Sequence, residues 1–554
     1  MVDGAGGLRP HWRSVLGAYA ALTDGLAERA RRLDRAVAEE GVAALLPSAG
    51  DPVSPWRCDP LPLPLPGAEF ASLAAGLDQR ARLLEAVLAD LFGPQRLLAE
   101  GLVPPALVFA NSSFLRPCRD LGGGVRLHFY AADLIRAPDG AWTVTSDRTD
   151  GAAGLGLARE NRRLLARVLP EPFRPVQVRP LRPFFELWQE GLHRLAPPGR
   201  GNPSVALLSE GATHPYWFEH MLLARELGAA LVEPGDLTVR NGAVFLKTLR
   251  GLQPVDVLIR RLAGRLLDPL ELDSGPLAGV PGLLDAVRAG SVRIVNDPAS
   301  AMLEAPGFAA LLPGLAERLL GEPLQLANAA PGEPASVAPW LVGEGLEPRP
   351  VVLRLYLVHD GEGWRAMPGG LARMLTADAP EPAQALAGGA LPGGGVAKDV
   401  WVLAEERADV IGLEELAADQ AIAIERDLAD LYPHQTLHPL GIPGKGVISR
   451  FPIRSAELID LYPDRPDLLV RIEAPHGLMR VIVAHPPPPR FRRSGLRFDQ
   501  QTRVQIDALV ELAASDGPTI LMGDFNAPER HRSLRQIAGA GFIDAFKTAG
   551  EGEG

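Results

Sequence analysis

The stretch ILMGDFNAPERH, Ile520 to His531, decides how the C-terminal part of this chain is read. Ile-Leu-Met predicts a short apolar strand that runs into Gly523. Asp524 and Asn526 follow, an acid and an amide two residues apart. A carboxylate at a strand end can hold a hard cation or a water, and an amide beside it can hold a phosphate oxygen. The same four residues, Gly-Asp-Phe-Asn, also make an ordinary turn with Asx capping. Only 28 residues follow Asn526, so the completeness of any site here depends on what stands upstream.

Working outward, ADVIGL (408–413) predicts a strand that runs into Glu415. GVISRFPI, DLLVRIEA and MRVIVAHP predict further strands, and the last reaches His485 just before four prolines. Residues 417–431, 497–514 and 531–539 carry a helical period. Several strands, a helix and a strand fit a layered α/β sandwich in which Glu415, His485, Asp524 and Asn526 converge at one rim. In that arrangement Glu415 binds Mg²⁺ or Mn²⁺, Asp524 orients or deprotonates a water, and Asn526 and His485 hold a phosphate oxygen. Taken singly, each of these residues reads as a cap or a structural residue; their order is what gives the functional reading.

That ordered series, DVIGLEEL, LYPHQ, GKGVISRFPI, VAHPPPP and ILMGDFNAP, resembles the endonuclease/exonuclease/phosphatase superfamily over about 407–549. The resemblance implies a four-layer α/β sandwich and a metal-dependent phosphodiesterase or phosphatase. It makes Glu415 the metal-binding glutamate, Asp524 and Asn526 the catalytic pair, and His485 a phosphate-side residue. It also implies an asparagine on a first strand and a terminal Asp-His. No asparagine lies between Asn328 and Asn526, and the last histidine is His531. The expectation is a domain, 406–554, without its first and last strands.

Upstream, residues 11–40 and 67–99 predict helices, DPLPLPLP (59–66) an extended connector, and ALVFA (106–110), VRLHFY (125–130) and AWTVTS (141–146) strands. SVALLS, AALVEP, AVFLKT, VDVLIRR and VRIVND then alternate with helical stretches, which argues for α/β layers. The segments WRCDPLPLPLP, SDRTDG…ENRRLL, YWFEHMLLARELGAALVEPGDL, GLQPVDVLIRR, EPRPVVLRLYLV and AKDVWVLAE follow in order. The series resembles circularly permuted type 2 ATP-grasp proteins over nearly all of 10–405. The resemblance implies an ATP-dependent carboxylate–amine ligase acting on a small-molecule carboxylate and amine. It places Asp147, Arg148 and Asn161 on the metal and phosphate side, and Arg260 and Arg261 in the family's paired-arginine segment. Arg354, Lys398 and Asp399 would close the nucleotide site. No lysine lies between Lys247 and Lys398, so the nucleotide-clamp segment is expected to be largely missing near 328–345.

Composition bounds these readings. The chain has 554 residues, 47% apolar, with a net charge of −11. That length and balance suit a multidomain α/β protein and give no general attraction to nucleic acid or to an anionic membrane. Two cysteines and no apolar leader point to the cytoplasm. Four of the 56 basic residues are lysines, so lysine chemistry has few candidates. The whole reads as an ATP-grasp-like region, 1–405, fused to a phosphodiesterase-like domain, 406–554, both impaired by missing segments. The alternative is a non-catalytic pseudoenzyme or binding protein, or a truncated or fused reading frame.

Overall fold

Alternating burial along the strands builds the first unit. In Phe129–Arg136, Tyr130, Ala132 and Leu134 enter one core while Phe129 and Ala131 enter another. Pro348–His359 repeats the pattern, with Leu353, Leu355 and Leu357 on one face and Tyr356 and Val358 on the other. Such strands are covered on both faces, which requires helices on each side of the sheet. The long helix Gly67–Leu91 covers one face, and Leu155–Val168 and Arg182–Leu195 cover the other.

The computed structural model describes residues 9–42 except 21 and 23, and 56–329 except 123, 138–139, 174–175, 200, 215 and 276–278. It further describes 339–341, 348–374, 396–403, 409–526 except 430–431, 476, 489, 493–494, 498–499 and 515–516, and finally 532–543. The expected clamp segment near 328–345 and His531 fall mostly or wholly outside these residues. The chain divides into two compact units, 1–405 and 406–554, and each is a mixed α/β assembly.

The main sheet of the first unit runs, by strand, Arg57–Cys58, Val396–Val402, Leu371–Met374, Pro348–His359, Phe129–Arg136, Trp142–Arg148. A second, wholly parallel sheet orders Arg293–Val295, Val257–Arg260, Val205–Leu208 and Ala230–Val232. Several sequence expectations change. ALVFA is not a strand: Pro105 occupies the first turn of a short helix, Pro105–Phe109, where its missing N–H has no cost. DPLPLPLP is not a free connector: Leu63–Leu65 is a fully buried strand that pairs in parallel with Val400–Val402. Residues 11–40 form two helices, Pro10–Ala20 and Gly25–Glu39.

In the second unit, Val410–Glu414, Lys445–Ser449 and His434–His438 form one antiparallel sheet. Ile453–Ile459, Asp467–Ala474, Gly477–Val483 and Thr519–Met522 form another. The sheets meet over Val447, Val470, Val481 and Val483. Leu469, Ile482 and Ala484 face Leu509 of the helix Gln500–Ala514. No helix among the described residues is long and apolar enough to cross a membrane.

Candidate functional site

Strand direction gathers the acids of the second unit. Val410–Glu414 ends where its antiparallel neighbour Lys445–Ser449 begins, with Glu414 opposite Lys445. In the other sheet Asp467–Ala474 begins where Gly477–Val483 ends, and Thr519–Met522 ends beside Val483. Glu414, Glu415, Lys445, Asp467, His485, Asp524 and Asn526 therefore stand at strand ends on one rim.

One hydrogen-bonded link ties the two sheets together there. The Asp524 backbone N–H donates to Glu414 Oε1 at 3.0 Å and Oε2 at 2.9 Å. Gly523 makes this approach possible. Its φ is +138°, and a Cβ would lie 1.9 Å from the Ala484 carbonyl oxygen and 2.4 Å from Glu414 Oε1. Downstream, the Asn526 N–H donates to Asp524 Oδ1 at 2.7 Å, and Asn526 Nδ2 donates to the Pro486 carbonyl at 2.9 Å. The turn is thus fixed on one side to the first sheet and on the other to the segment just after His485. Asn526 and Glu415 both take left-handed backbone, with φ of 49° and 51°. Non-glycine residues adopt that region rarely, and it is over-represented at functional turns.

Exposure divides the rim. Asp524 and Glu415 are exposed, Glu414 is half-buried, and Lys445, Asp467 and His485 are buried. Burial pushes the Glu414 carboxyl up, opposed by the Asp524 N–H, His485 and Lys445. Burial likewise pushes Asp467 up to about 6, against the Gln505 amide that donates to its Oδ2 at 2.9 Å. The resemblance pointed to Glu415 alone; the carboxylate that carries the turn is its neighbour Glu414. Lys445, Asp467 and Gln505 were also not singled out. The scarcity of lysine was the available signal for Lys445, whereas Asp467 shows its place only through strand pairing.

Among the described residues no three Asp, Glu, His or Cys side chains gather closely enough to cage an ion by themselves. Mg²⁺ and Mn²⁺ do not require such a cage. Mg²⁺ characteristically takes one or two carboxylates and keeps water or phosphate oxygens in its other positions. Glu415 and Asp524 are exposed carboxylates at strand ends of this rim, donors of the kind such an ion takes, and the buried His485 Nδ1 has no partner among the described residues.

The residues singled out in the first unit have a different fate. Asp147 accepts from Arg80 Nε at 2.6 Å and Nη2 at 2.9 Å, and from the Tyr130 hydroxyl at 2.6 Å. Asn161 Oδ1 accepts from Trp56 Nε1 at 2.9 Å. Arg148 and Arg354 both bind Asp133, at 3.0 Å and 2.6 Å. Burial works to raise the Asp133 carboxyl, but these two guanidiniums outweigh it and hold it low. Lys398 donates to Asp59 at 2.8 Å and to the Leu61 carbonyl at 2.9 Å. Asp399, on the opposite face of the same strand, accepts from Arg162 at 2.6 Å and Trp401 at 2.8 Å. Arg260 donates to the Asn296 and Asp297 carbonyls and to Ser300, and Arg261 to the carbonyls of Gly151 and Ala152.

Arg148, Arg260, Arg261 and Arg354 do share one region, around the loop 149–154. Glu304 and Glu219 accept that loop's N–H groups, and Arg261, Arg354 and Tyr356 donate to its carbonyls. Asp147 and Lys398 face the other side of the main sheet. Neither Asp147 nor Asn161, the expected metal ligands here, fits that role: both Asp147 oxygens are held by a guanidinium, and the Asn161 oxygen is held by an indole.

Comparison with known proteins agrees with both halves. Residues 62–334 match the family model described as circularly permuted ATP-grasp type 2. Residues 402–553 match the endonuclease/exonuclease/phosphatase family. An uncharacterized protein of Mycobacterium tuberculosis is 38% identical over 340 residues, covering 58% of this chain. The chain spans 38% of the length of that relative. An uncharacterized protein of Synechocystis is 31% identical over 412 residues, covering 62% of this chain and 84% of the relative. A solved glutathione synthetase-like effector from Globodera pallida aligns over 68% of this chain and 96% of its own, at 11% identity and a TM-score of 0.38.

Proposed function

From the premise that the chain belongs to the circularly permuted ATP-grasp type 2 family and carries an endonuclease/exonuclease/phosphatase-family unit after it, we propose that the second unit is the phosphate-handling part. It acts as a metal-assisted phosphodiesterase or phosphatase on a small phosphate ester. The observation that supports this best is the Asp524–Asn526 turn hung from Glu414 at a rim that also carries Glu415 and His485.

Roles follow from exposure and hydrogen bonding. Glu415 and Asp524 would hold Mg²⁺ or Mn²⁺, which supplies Lewis-acid neutralisation of charge on the ester oxygens. Asp524 has an exposed carboxylate within a fixed turn, so it can accept a proton from an attacking water. Asn526 is held by Pro486 close to His485, and the His485 imidazole can donate to a phosphate oxygen. A net charge of −11 disfavours a polyanionic nucleic acid relative to a small diester. Both cysteines are buried and unbridged, in keeping with a cytoplasmic setting.

Hydrolysis of bis-p-nitrophenyl phosphate by the full chain with Mn²⁺ tests this reading. Asp524→Ala should lower the rate by about 10²-fold or more, the scale of losing one group that acts in the transition state. An unchanged rate in that variant would overturn the reading.

For the first unit one observation favours the non-catalytic reading over an ATP-dependent ligase. Arg148, Arg354, Lys398 and Asp399 are all buried and bonded internally. The expected result is that ATP with Mg²⁺ leaves the thermal unfolding of this unit unchanged. A rise of several degrees would restore the ligase reading, with a small-molecule carboxylate and amine as substrates.

A further inference from the structure

The hairpin that joins His434–His438 to Lys445–Ser449 lies on the same rim as the acids, since His438 and Glu414 both stand opposite Lys445. Its loop, Pro439-Leu440-Gly441-Ile442-Pro443-Gly444, carries no charge. Leu440 is 58% exposed and Ile442 57%. The loop is clamped by its backbone. The N–H groups of Leu440 and Gly441 donate to the Leu416 carbonyl at 3.1 and 3.0 Å, and the Leu416 N–H donates to the Gly444 carbonyl at 3.3 Å. The Gly444 N–H closes the turn on the Gly441 carbonyl at 2.8 Å. A Cβ on Gly444 would lie 2.2 Å from the Leu416 carbonyl oxygen, so glycine is what lets the loop come this close. The layer beneath is already filled, because the side chains of Leu413, Leu416 and Leu437 converge on Gly446. Leu440 and Ile442 are left in solvent. Leu416 directly follows Glu415, and Glu414 before it accepts the Asp524 N–H, so the loop is tied to the segment that carries the candidate site. A single exposed leucine needs no explanation. Two large aliphatic side chains on a clamped, uncharged loop at a ligand rim make a surface for an apolar group.

We propose that Leu440 and Ile442 form the specificity surface of this site, and that its substrate is a phosphodiester with an apolar chain on one ester oxygen. This rests on reading the rim as a phosphodiesterase site. Water attacks phosphorus, the other ester oxygen leaves with its group, and the apolar chain stays on the phosphate monoester that is released. Contact with the loop takes that chain out of water to the same extent before and during reaction, so the gain falls on KM and leaves kcat alone. The occupant is a single molecule and not a bilayer. Two aliphatic side chains bury too little area to hold a protein on a membrane, and a net charge of −11 adds no attraction to anionic lipid.

Two diesters with one leaving group test this: methyl and hexyl p-nitrophenyl phosphate, given to the full chain with Mn²⁺ at concentrations below micelle formation. The hexyl ester should have a kcat/KM at least about tenfold higher, mainly through KM. Leu440→Ser combined with Ile442→Ser should remove most of that preference. Leu478→Ser should keep it, because Leu478 is 53% exposed but stands at the opposite end of its strand from the rim. Equal kcat/KM for the two esters in the wild type, a preference retained in the double variant, or one lost in Leu478→Ser would each overturn the proposal. If the double variant does not fold, as judged by circular dichroism, the single variants decide: each should lose part of the preference, and no loss in either overturns it. Sedimentation of the wild-type chain with phosphatidylcholine vesicles, abolished in the double variant, would overturn it in favour of a lipid surface. Hydrolysis that needs Asp524 but ignores the chain would sink this proposal and leave the phosphodiesterase reading standing. No hydrolysis of either ester, or hydrolysis unchanged in Asp524→Ala, would sink both.

Discussion

The interior of the first unit and the rim of the second are built from the same residue types, arranged to opposite ends. Around the main sheet, Arg80 and Asp147, Arg354 and Asp133, Lys398 and Asp59, and Arg162 and Asp399 are each less than a tenth exposed and hold one another. At the rim, Asp524 and Glu415 face solvent, and the buried groups stand behind them. A charge buried with its partner specifies packing and resists removal, because deleting one partner strands the other. A charge held at an exposed strand end keeps capacity for a ligand. Perturbed acids and bases mark functional sites only with that distinction in hand: burial shifts Lys398 down and Asp399 up, yet both are held inside the fold.

The sharpest way to break this comparison is Asp133→Ala. It leaves Arg148 and Arg354 buried without their shared carboxylate, and chemical denaturation should show a loss of about 3–5 kcal/mol. Nearly as large is an opposite response to acid. Burial pushes His128 down to about 3 and His220 to about 2, so unfolding lets each take up a proton below its ordinary value near 6.5. These two histidines should therefore each cost the first unit up to about 3 kcal/mol as pH falls from 6.5 to 4, against buried acids such as Asp399 and Glu304 whose raised carboxyls act the other way, so the histidine contribution is read as the change in slope on His128→Gln. Asp467 has the reverse sign. Folded, it titrates at about 6, above its ordinary 3.8, so the second unit should gain up to about 3 kcal/mol as pH falls from 6 to 4. Asp467→Asn should remove most of that gain, leaving the smaller contribution of Glu414, whose carboxyl burial also raises. All eight tryptophans lie within residues 12–401, so their fluorescence reports the first unit alone, and hydrogen exchange can follow the second.

A smaller effect is expected at Gly154, where φ is +105° and a Cβ would lie 2.4 Å from the Tyr356 hydroxyl. Gly154→Ala should cost about 2 kcal/mol through overpacking and backbone strain. The smallest is Arg182→Ala, which removes an exposed pair with Glu186 and should change stability by no more than about 0.5 kcal/mol.

The strands of the second unit were legible because apolar runs such as DLLVRIEA and MRVIVAHP are bounded by prolines and glycine, and the rim follows once their directions are known. What could not be read was which of two adjacent glutamates turns inward. The pair Glu414-Glu415 carries the same chemistry twice, and only the backbone reversal at Glu415 separates the roles. In the first unit the arginines were visible, but their partners were not. Asp133 and Glu219 lie far from Arg354 and Gly154 in sequence, and no local pattern announces a contact of that range. ALVFA misled because two prolines start a helix that its apolar residues alone do not suggest. DPLPLPLP misled because Leu63 and Leu65 supply the buried side chains of an edge strand while the prolines need no donor.

The pairing of Asp59 with Lys398 joins positions 339 residues apart, and strands Arg57–Cys58 and Leu63–Leu65 both wait for Val396–Val402. A ribosome extends the chain in one direction, so the opening segment leaves the exit tunnel long before its neighbour exists. Until that late strand is synthesised, Leu63 and Leu65 remain uncovered, available to chaperones and to other nascent chains.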